Sequence, residues 1–435
     1  MTGKTRQGRS HVVIIGGGFG GLACARELGN RDVDVTLIDR RNHNLFQPLL
    51  YQVATAALSP ADIAEPIRRT LGRYRNVKVL LGEVHGVDAA SRTVSFDGGR
   101  WISYDYLVIA TGSEYNYFGH EDWRPLAPGL KTIHEARLLR QRLLLAFEKA
   151  ERSTDREEQK ALLTSVVIGG GPTGVEMAGA ISELGQAVLK QDFRQIDASL
   201  FRVLLVEAGP KLLAAFPETL TDYAKNTLEN MGVQIRLGAS VSQISPNAVQ
   251  IGEKSVRAGC IVWAAGIRPS PAAQWLGLET VARGRIPVDM HLSVVDCPDV
   301  YALGDTSQFL DEHGKPVPAL AQVAKQQGRY LGRSLLKRMA GEAEVKPFRF
   351  HNRGNTAVIG RHAAVFDFGR WQMKGRLAWF LWAVVHVLLL VNFEKRILVS
   401  LQWMWRYLTH NIGARLIDEN TRNIPATTDI QETLR

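Results

Sequence analysis

One supersecondary order occurs twice in this chain, and it limits the fold more than any other feature. Val12–Ile15 is an apolar run ending in glycine, Leu22–Leu28 has helical character, and Val33–Ile38 is a second apolar run closed by Asp39. The same order of strand, glycine turn, helix, strand and acid returns at Val166–Ile168, Gly169–Gly174, Val175–Leu184 and Val203–Val206, closed by Glu207. A spacing of about 150 residues marks duplicated domains and not a solenoid. The glycines stand at Gly16, Gly18 and Gly21, and again at Gly169, Gly171 and Gly174. In a turn of this kind the first two let the backbone bend tightly and approach a pyrophosphate. The third lets helix and strand close on each other, and the helix N-terminus offers positive potential to the phosphates. Asp39 follows Gly21 by 18 residues, within the range for gripping an adenosine ribose. One such pattern is weak, but two in the same context predict a chain that holds FAD on the first turn and a nicotinamide cofactor on the second.

At 435 residues the chain exceeds one hydrophobic core, and 45% hydrophobic with 22% charged residues is ordinary globular composition. The expected fold class is α/β, with two Rossmann-like dinucleotide-binding domains. Gly304-Asp305, at the end of the run Val300–Leu303, is placed to bind the ribitol–phosphate part of FAD, the competing explanation being an Asp that caps a turn. That makes the FAD domain discontinuous: residues 1–120 and 286–345, with an NADH domain at 121–285 inserted and a C-terminal region at 346–435. Glu151–Lys160 is polar and charged and is expected to be a surface loop. A helix is expected from about Leu320 to Arg338, with Pro316 and Pro318 as its start punctuation.

Glu207 lies 33 residues beyond Gly174, so this unit is extended. Its carboxylate would accept ribose hydroxyls and repel a 2′-phosphate, favouring NADH over NADPH, although Lys211 nearby leaves that preference open. Cys24, Cys260 and Cys297 are far apart and form neither a redox pair nor a metal site. The basic N-terminus, Met1–Ser10, has no apolar run of the secretory kind.

The formal charge of +10 calls for an acidic partner surface. From Lys346 to Arg415 there are eleven Lys and Arg against two carboxylates, Asp367 and Glu394, interleaved with Trp371, Trp379, Phe380, Trp382, Phe393, Trp403 and Trp405. Cations beside tryptophans suit a lipid headgroup layer, and no nucleic-acid module is visible. Leu377–Val391 is apolar except for His386, yet its fifteen residues fall short of the roughly 20 that cross a bilayer. Ile397, Leu398, Leu401, Met404, Trp405 and Leu408 recur at helical spacing, a basic amphipathic helix. The C-terminal region is therefore expected to be a helical membrane anchor.

From Val12 to about Ile417 the chain resembles the type II NADH:quinone oxidoreductases, single-subunit respiratory NADH dehydrogenases of the pyridine nucleotide–disulfide reductase superfamily. The superfamily part is Gly16–Gly21, Thr111-Gly112, Gly169–Gly174 and Gly304-Asp305. More specific are the segment Asn42 to Tyr51, the Ala321-Gln322-Val323-Ala324-Lys325-Gln326 segment, similar to the family's quinone-site motif, and the tryptophan-rich tail. Gln322 and Gln326 share a helix face, and Ala321 and Ala324 leave room for planar rings; a polar face in water is the alternative. The resemblance implies a flavin set of Gly16, Gly18, Phe19, Gly20, Gly21, Asp39, Arg40, Val84, Thr111, Gly112, Gly304, Asp305, Ala321 and Gln322. For NADH it implies Gly169, Gly171, Thr173, Gly174, Glu207, Ala265 and Gly266. Gln322 and Gln326 would meet the quinone. Glu176 would assist nicotinamide binding or proton movement, or else it is simply an acid favoured at a helix N-terminus. His43 and His386 are expected in packing or headgroup-facing roles. A homodimer on the cytoplasmic face of the inner membrane, transferring hydride to FAD and electrons to quinone without pumping protons, completes what the resemblance implies. Sulfide:quinone oxidoreductases need paired cysteines, which fit this chain poorly. A nicotinamide-sensing flavoprotein of the apoptosis-inducing-factor type is the rival from another class.

Overall fold

The computed structural model describes residues 8–278, 281–342, 345–390, 393–409 and 415–417. The chain forms two compact units. The first gathers residues 1–45, 64–114 and 267–353, and the second gathers residues 46–63, 115–266 and 354–435.

In the first unit, strand His11–Ile15 pairs in parallel with Asp34–Asp39 on one side and Tyr106–Ile109 on the other. Val77–Leu81 and Val300–Ala302 complete a five-stranded parallel sheet at its two edges. The central residues Val12–Ile15, Leu37, Ile38 and Leu107–Ile109 are apolar and buried because both faces of the sheet's middle are covered, while the edge strand Val77–Leu81 is partly exposed. Helix Phe19–Leu28 packs against helix Ala321–Met339 so closely that a Cβ on Gly328 would lie 2.1 Å from the Gly20 carbonyl oxygen. The late helix starts after Leu320, so Pro316 and Pro318 precede its cap and do not form its first turn.

The second unit repeats the plan: Thr164–Ile168 lies between Arg202–Val206 and Cys260–Trp263, with Val233–Arg236 beyond, all parallel. Helix Pro172–Asp192 follows the second glycine turn, and its 21 residues account for most of the long interval to Glu207. The Glu151–Lys160 loop expectation is overturned. Helix Ile133–Arg152 runs into this stretch, and a new helix, Arg156–Leu162, begins within it. Asp155 caps that helix by accepting the Glu157 N–H at 2.9 Å, and Glu157 and Glu158 favour its positive end.

Residues from Gly354 onward group with this second unit. A three-stranded antiparallel sheet, Asn355–Gly360, Ala363–Asp367 and Gln372–Gly375, leads into helices Arg376–Leu389 and Phe393–Thr409. The sheet's first strand crosses helix Pro172–Asp192 at Gly179, where a Cβ would lie 1.8 Å from the Ile359 carbonyl oxygen. Segment 46–63 belongs here through side chains: Trp403 donates its indole N–H to Gln52 Oε1 at 2.9 Å, and Phe46 meets His386 edge to face at 6.0 Å. Trp382 stacks on both His386 and Trp403. The first tail helix turns Ala378, Trp382 and His386 inward and leaves Leu377, Phe380, Val384 and Leu388 exposed as a stripe. Among the described residues no helix is long and apolar enough to cross a membrane. Val391 and the side chains of Arg406 and Leu408 lie outside the described residues.

Candidate functional site: two nucleotide cradles

Gly16 takes φ 101°, and a Cβ on it would stand 2.4 Å from the Ala110 carbonyl oxygen, so only glycine serves there. A Cβ on Gly21 would strike the Gly16 oxygen at 1.9 Å, whereas one on Gly18 would meet nothing within 4 Å. The turn is closed toward the protein and open outward, and Gly18 caps helix Phe19–Leu28 without a side-chain partner for the first N–H groups. A pyrophosphate fits that open face. Asp39 braces the turn: its Oδ2 accepts the Gly17 N–H at 2.6 Å and its Oδ1 accepts the Arg41 N–H at 2.7 Å. A carboxylate has about four acceptor positions, so ribose hydroxyls can still be received.

The distant members of the first set converge in the same unit. Asp305 accepts the Ser113 hydroxyl at 2.5 Å, and Thr111 hydrogen-bonds to Ser270 at 2.6 Å. Gly304, at φ 73°, places its Cα face against Ala324, and its N–H donates to Gln327 Oε1 at 2.7 Å. Phe19 opens its helix half-buried, Val84 is buried in the core, and Arg40 makes a long, exposed ion pair with Glu83 at 3.8 Å. Ala321 is the exposed first residue of its helix. Gln322 Oε1 accepts the Arg353 N–H at 3.0 Å. Gln326 pairs with the His351 peptide in both directions, Nε2 to O at 2.9 Å and N to Oε1 at 3.1 Å. The structure thus joins both motif glutamines to one backbone segment.

Sequence reasoning missed three residues of this set. Gln327, nearly fully buried, holds Gly304; Asn44 donates to the Gly17 carbonyl at 2.9 Å; Ser113 holds Asp305. The doubled glutamine Gln326-Gln327 and the pattern Asn42-His43-Asn44 were the available signals. His43 hydrogen-bonds to Asn42 at 3.0 Å, and burial lowers its pKa.

The second turn is built alike. Gly169 takes φ 111° against Ala264, a Cβ on Gly174 would stand 1.7 Å from the Gly169 oxygen, and Gly171 faces open space. Pro172 follows as the first helical residue, where its missing N–H costs nothing, with Thr173 behind it. Glu207 Oε2 accepts the Gly170 N–H at 2.5 Å and Oε1 accepts the Gly209 N–H at 2.6 Å. Lys211 is exposed. Ala265 and Gly266 follow strand Cys260–Trp263, with Gly266 at φ 79°.

Glu176, Gly179 and Glu183 occupy one face of helix Pro172–Asp192 beneath strand Asn355–Gly360. The Val358 N–H reaches Glu176 Oε1 at 3.4 Å, and Glu183 accepts the Arg361 N–H. Burial pushes the Glu176 carboxyl up to about 8 against the weaker opposing pull of the Val358 N–H, so it carries a proton at neutral pH. His386 is driven to about 4 by burial, opposed by its hydrogen bond to the Trp382 carbonyl, and is neutral. The three cysteines are free thiols, with Cys24 and Cys260 buried.

Comparison with known proteins adds the family. Residues 10–328 match the pyridine nucleotide-disulphide oxidoreductase family, and residues 352–410 match the NDH2 C-terminal domain. The chain is 42% identical to the type II NADH:quinone oxidoreductase NdhA of Mycobacterium tuberculosis, over 91% of this chain and 87% of that protein. It is 39% identical to Ndh of the same organism, over 94% of this chain and 91% of that protein. The fold is shared with NDH2 of Plasmodium falciparum in complex with NADH, at a TM-score of 0.86 and 23% identity, covering 93% of this chain and 99% of that one. A sulfide:quinone oxidoreductase of Aquifex aeolicus aligns at a TM-score of 0.69 and 18% identity, over 95% and 94% of the two chains. The chain belongs to the pyridine nucleotide-disulphide oxidoreductases and, within them, to the type II NADH:quinone oxidoreductases, the FAD-dependent NADH dehydrogenases.

Proposed function

We propose that NADH is held on Gly169–Gly174 with Glu207, that FAD is held on Gly16–Gly21 with Asp39 and Gly304-Asp305, and that the electrons leave to a membrane quinone without proton pumping. The observation that carries this is the matched pair of open glycine turns, each braced by the carboxylate that ends the next strand. FAD, when bound, supplies the two-electron chemistry, taking hydride from NADH and returning the electrons to quinone. The chain's own residues bind, orient and manage protons. Gly16, Gly18 and Gly21 with the helix N-terminus hold the flavin pyrophosphate, and Gln327 and Ser113 keep Gly304 and Asp305 in place for the ribitol side. Glu207 selects NADH by repelling a 2′-phosphate.

Glu176, protonated at neutral pH, is a proton reserve beside the start of the nicotinamide-binding helix. Gln322 and Gln326 orient the quinone, a role that rests on the resemblance of Ala321–Gln326. Gln326 still has a second amide hydrogen for a quinone carbonyl after pairing with His351.

The tail helices lie on a lipid surface. Leu377, Phe380 and Leu388 on the first, with Leu401, Met404 and Trp405 on the second, present apolar side chains beside Arg376, Lys395 and Arg396. The cytoplasmic face of the inner membrane and a homodimer are part of the same proposal, supported by the family resemblance.

Stopped-flow mixing tests it. The flavin is reduced with NADH, and ubiquinone or menaquinone is then added. Rapid reoxidation is expected. Slow reoxidation with a persistent long-wavelength band would favour a nicotinamide sensor instead.

A further inference from the structure

Phe118 stands apart from its neighbours in the second unit. It is a bulky residue at φ 54°, a left-handed backbone that phenylalanine adopts only where its surroundings impose it. Its N–H donates to Asn116 Oδ1 at 2.8 Å, and the Asn116 carbonyl accepts the indole N–H of Trp263 at 3.0 Å. The backbone is thus pinned to the end of strand Cys260–Trp263. The ring nevertheless faces outward. Phe118 is 63% exposed, while Tyr115, Tyr117 and Trp123 around it are buried. Tyr117 is the residue that fills the core position, stacked on Trp263 at 5.0 Å. Phe118 reaches Trp263 only at 6.3 Å and a 58° tilt. Its free edge lies over Gly266, where a Cβ would fall 2.9 Å from Phe118 Cζ.

The topology says what passes there. The strand order is Val233–Arg236, Arg202–Val206, Thr164–Ile168, Cys260–Trp263. Glu207 ends the second of these, the glycine turn follows the third, and Ala265-Gly266 follows the fourth. A dinucleotide with its adenosine on Glu207 and its pyrophosphate on Gly171 therefore sends its other half toward Gly266.

We propose that Phe118 is a binding residue for the nicotinamide–ribose half of NADH, its outward ring and the bare backbone of Gly266 forming one apolar ledge. This rests on the assignment of NADH to the second glycine turn. A backbone held in place beforehand and a side chain with two torsions lose little freedom on contact, so the ring adds affinity at small entropic cost. Gly266 serves the ledge twice: a side chain would be strained at its φ and would collide with the ring.

The test is flavin reduction by NADH in the flavin-loaded Phe118→Ala, Phe118→Trp and Glu207→Ala proteins. Phe118→Ala should raise the NADH concentration for half-maximal reduction several-fold, to about tenfold. Its reoxidation by quinone, which does not involve NADH, should stay near wild type. Phe118→Trp should retain wild-type saturation. Should the alanine protein fail to retain flavin, Phe118→Leu, which keeps bulk but not a planar face, is read the same way. Wild-type saturation in the folded alanine or leucine variant, with a shifted Glu207→Ala control, overturns the role of Phe118 alone. Wild-type saturation in all variants, the control included, overturns the assignment of NADH to this turn.

Discussion

The carboxyl of Glu176 lies 3.4 Å from the backbone N–H of Val358, on the strand that opens the C-terminal region. The contact ties a titrating group to the packing of that strand. The sign of its pH dependence follows from where the proton is kept. In the unfolded chain this carboxyl loses its proton near its ordinary value of 4.5, and in the folded chain near 8. Between those values only the folded protein binds the proton, so this group's contribution to stability falls as pH rises from about 4.5 to about 8, then levels. Glu176→Gln should remove that slope. The melting-temperature advantage of the variant should widen from pH 5 to pH 8, and parallel curves for the two proteins would sink the argument.

Gly179 admits no side chain without moving Ile359, because the added carbon would sit 1.8 Å from a carbonyl oxygen. Gly179→Ala should destabilise the second unit by roughly 1–3 kcal/mol. Hydrogen exchange should locate the damage, with protection lost first along Asn355–Gly360. Unchanged exchange there would mean that helix and strand tolerate the displacement.

Glu207→Gln keeps one acceptor but turns an amide toward a second backbone N–H, at Gly170 or Gly209. The charge that discourages a 2′-phosphate is also lost. NADH should weaken, and the preference for NADH over NADPH should shrink about tenfold or more. Unchanged selectivity in steady-state kinetics with both nucleotides would remove Glu207 from that role.

Gln326→Ala loses both hydrogen bonds to His351 along with the amide assigned to the quinone. Quinone turnover should fall roughly tenfold or more while flavin reduction by NADH stays near wild type. Equal losses in the two half-reactions, measured separately by stopped flow, would refute the assignment.

Removing the tail would strip His386 from Phe46 and Trp403 from Gln52 and uncover both buried residues, so a gentler change separates anchoring from folding. Phe380→Glu with Leu388→Glu alters only exposed positions. Binding to anionic phospholipid vesicles should drop steeply, with the melting temperature within a few degrees of wild type. Undiminished sedimentation with vesicles would place the lipid contact elsewhere.

Both glycine turns were legible in the sequence because their requirement is local: a positive φ at Gly16 and Gly169 and a bare Cα at Gly21 and Gly174 admit one residue type. The second tail helix was legible from its spacing, and the first only as a short apolar run. The bracing partners were not. Gln327 lies 23 residues from Gly304, Asn44 lies 27 from Gly17, and Ser113 lies 192 from Asp305, so only the closed fold brings them together. Helix Arg156–Leu162 was overlooked for another reason. Its charges suggested solvent, yet Asp155 followed by Arg-Glu-Glu is a helix start. The pairing of Gln326 with a peptide group also lay beyond reach, since a sequence shows an amide but not what it already holds.

The bracing of both turns by Asp39 and Glu207 has a consequence for the ligand-free protein. Each carboxylate fastens its loop to the end of a strand through backbone N–H groups, so contacts within the protein itself support the loop's shape. The cradles are receptors formed in advance. A nucleotide arriving at either one finds its docking face assembled, and its affinity is not spent on organising a disordered loop. Stripped of flavin, the chain should keep its nicotinamide turn intact and be ready to take up FAD again from solution.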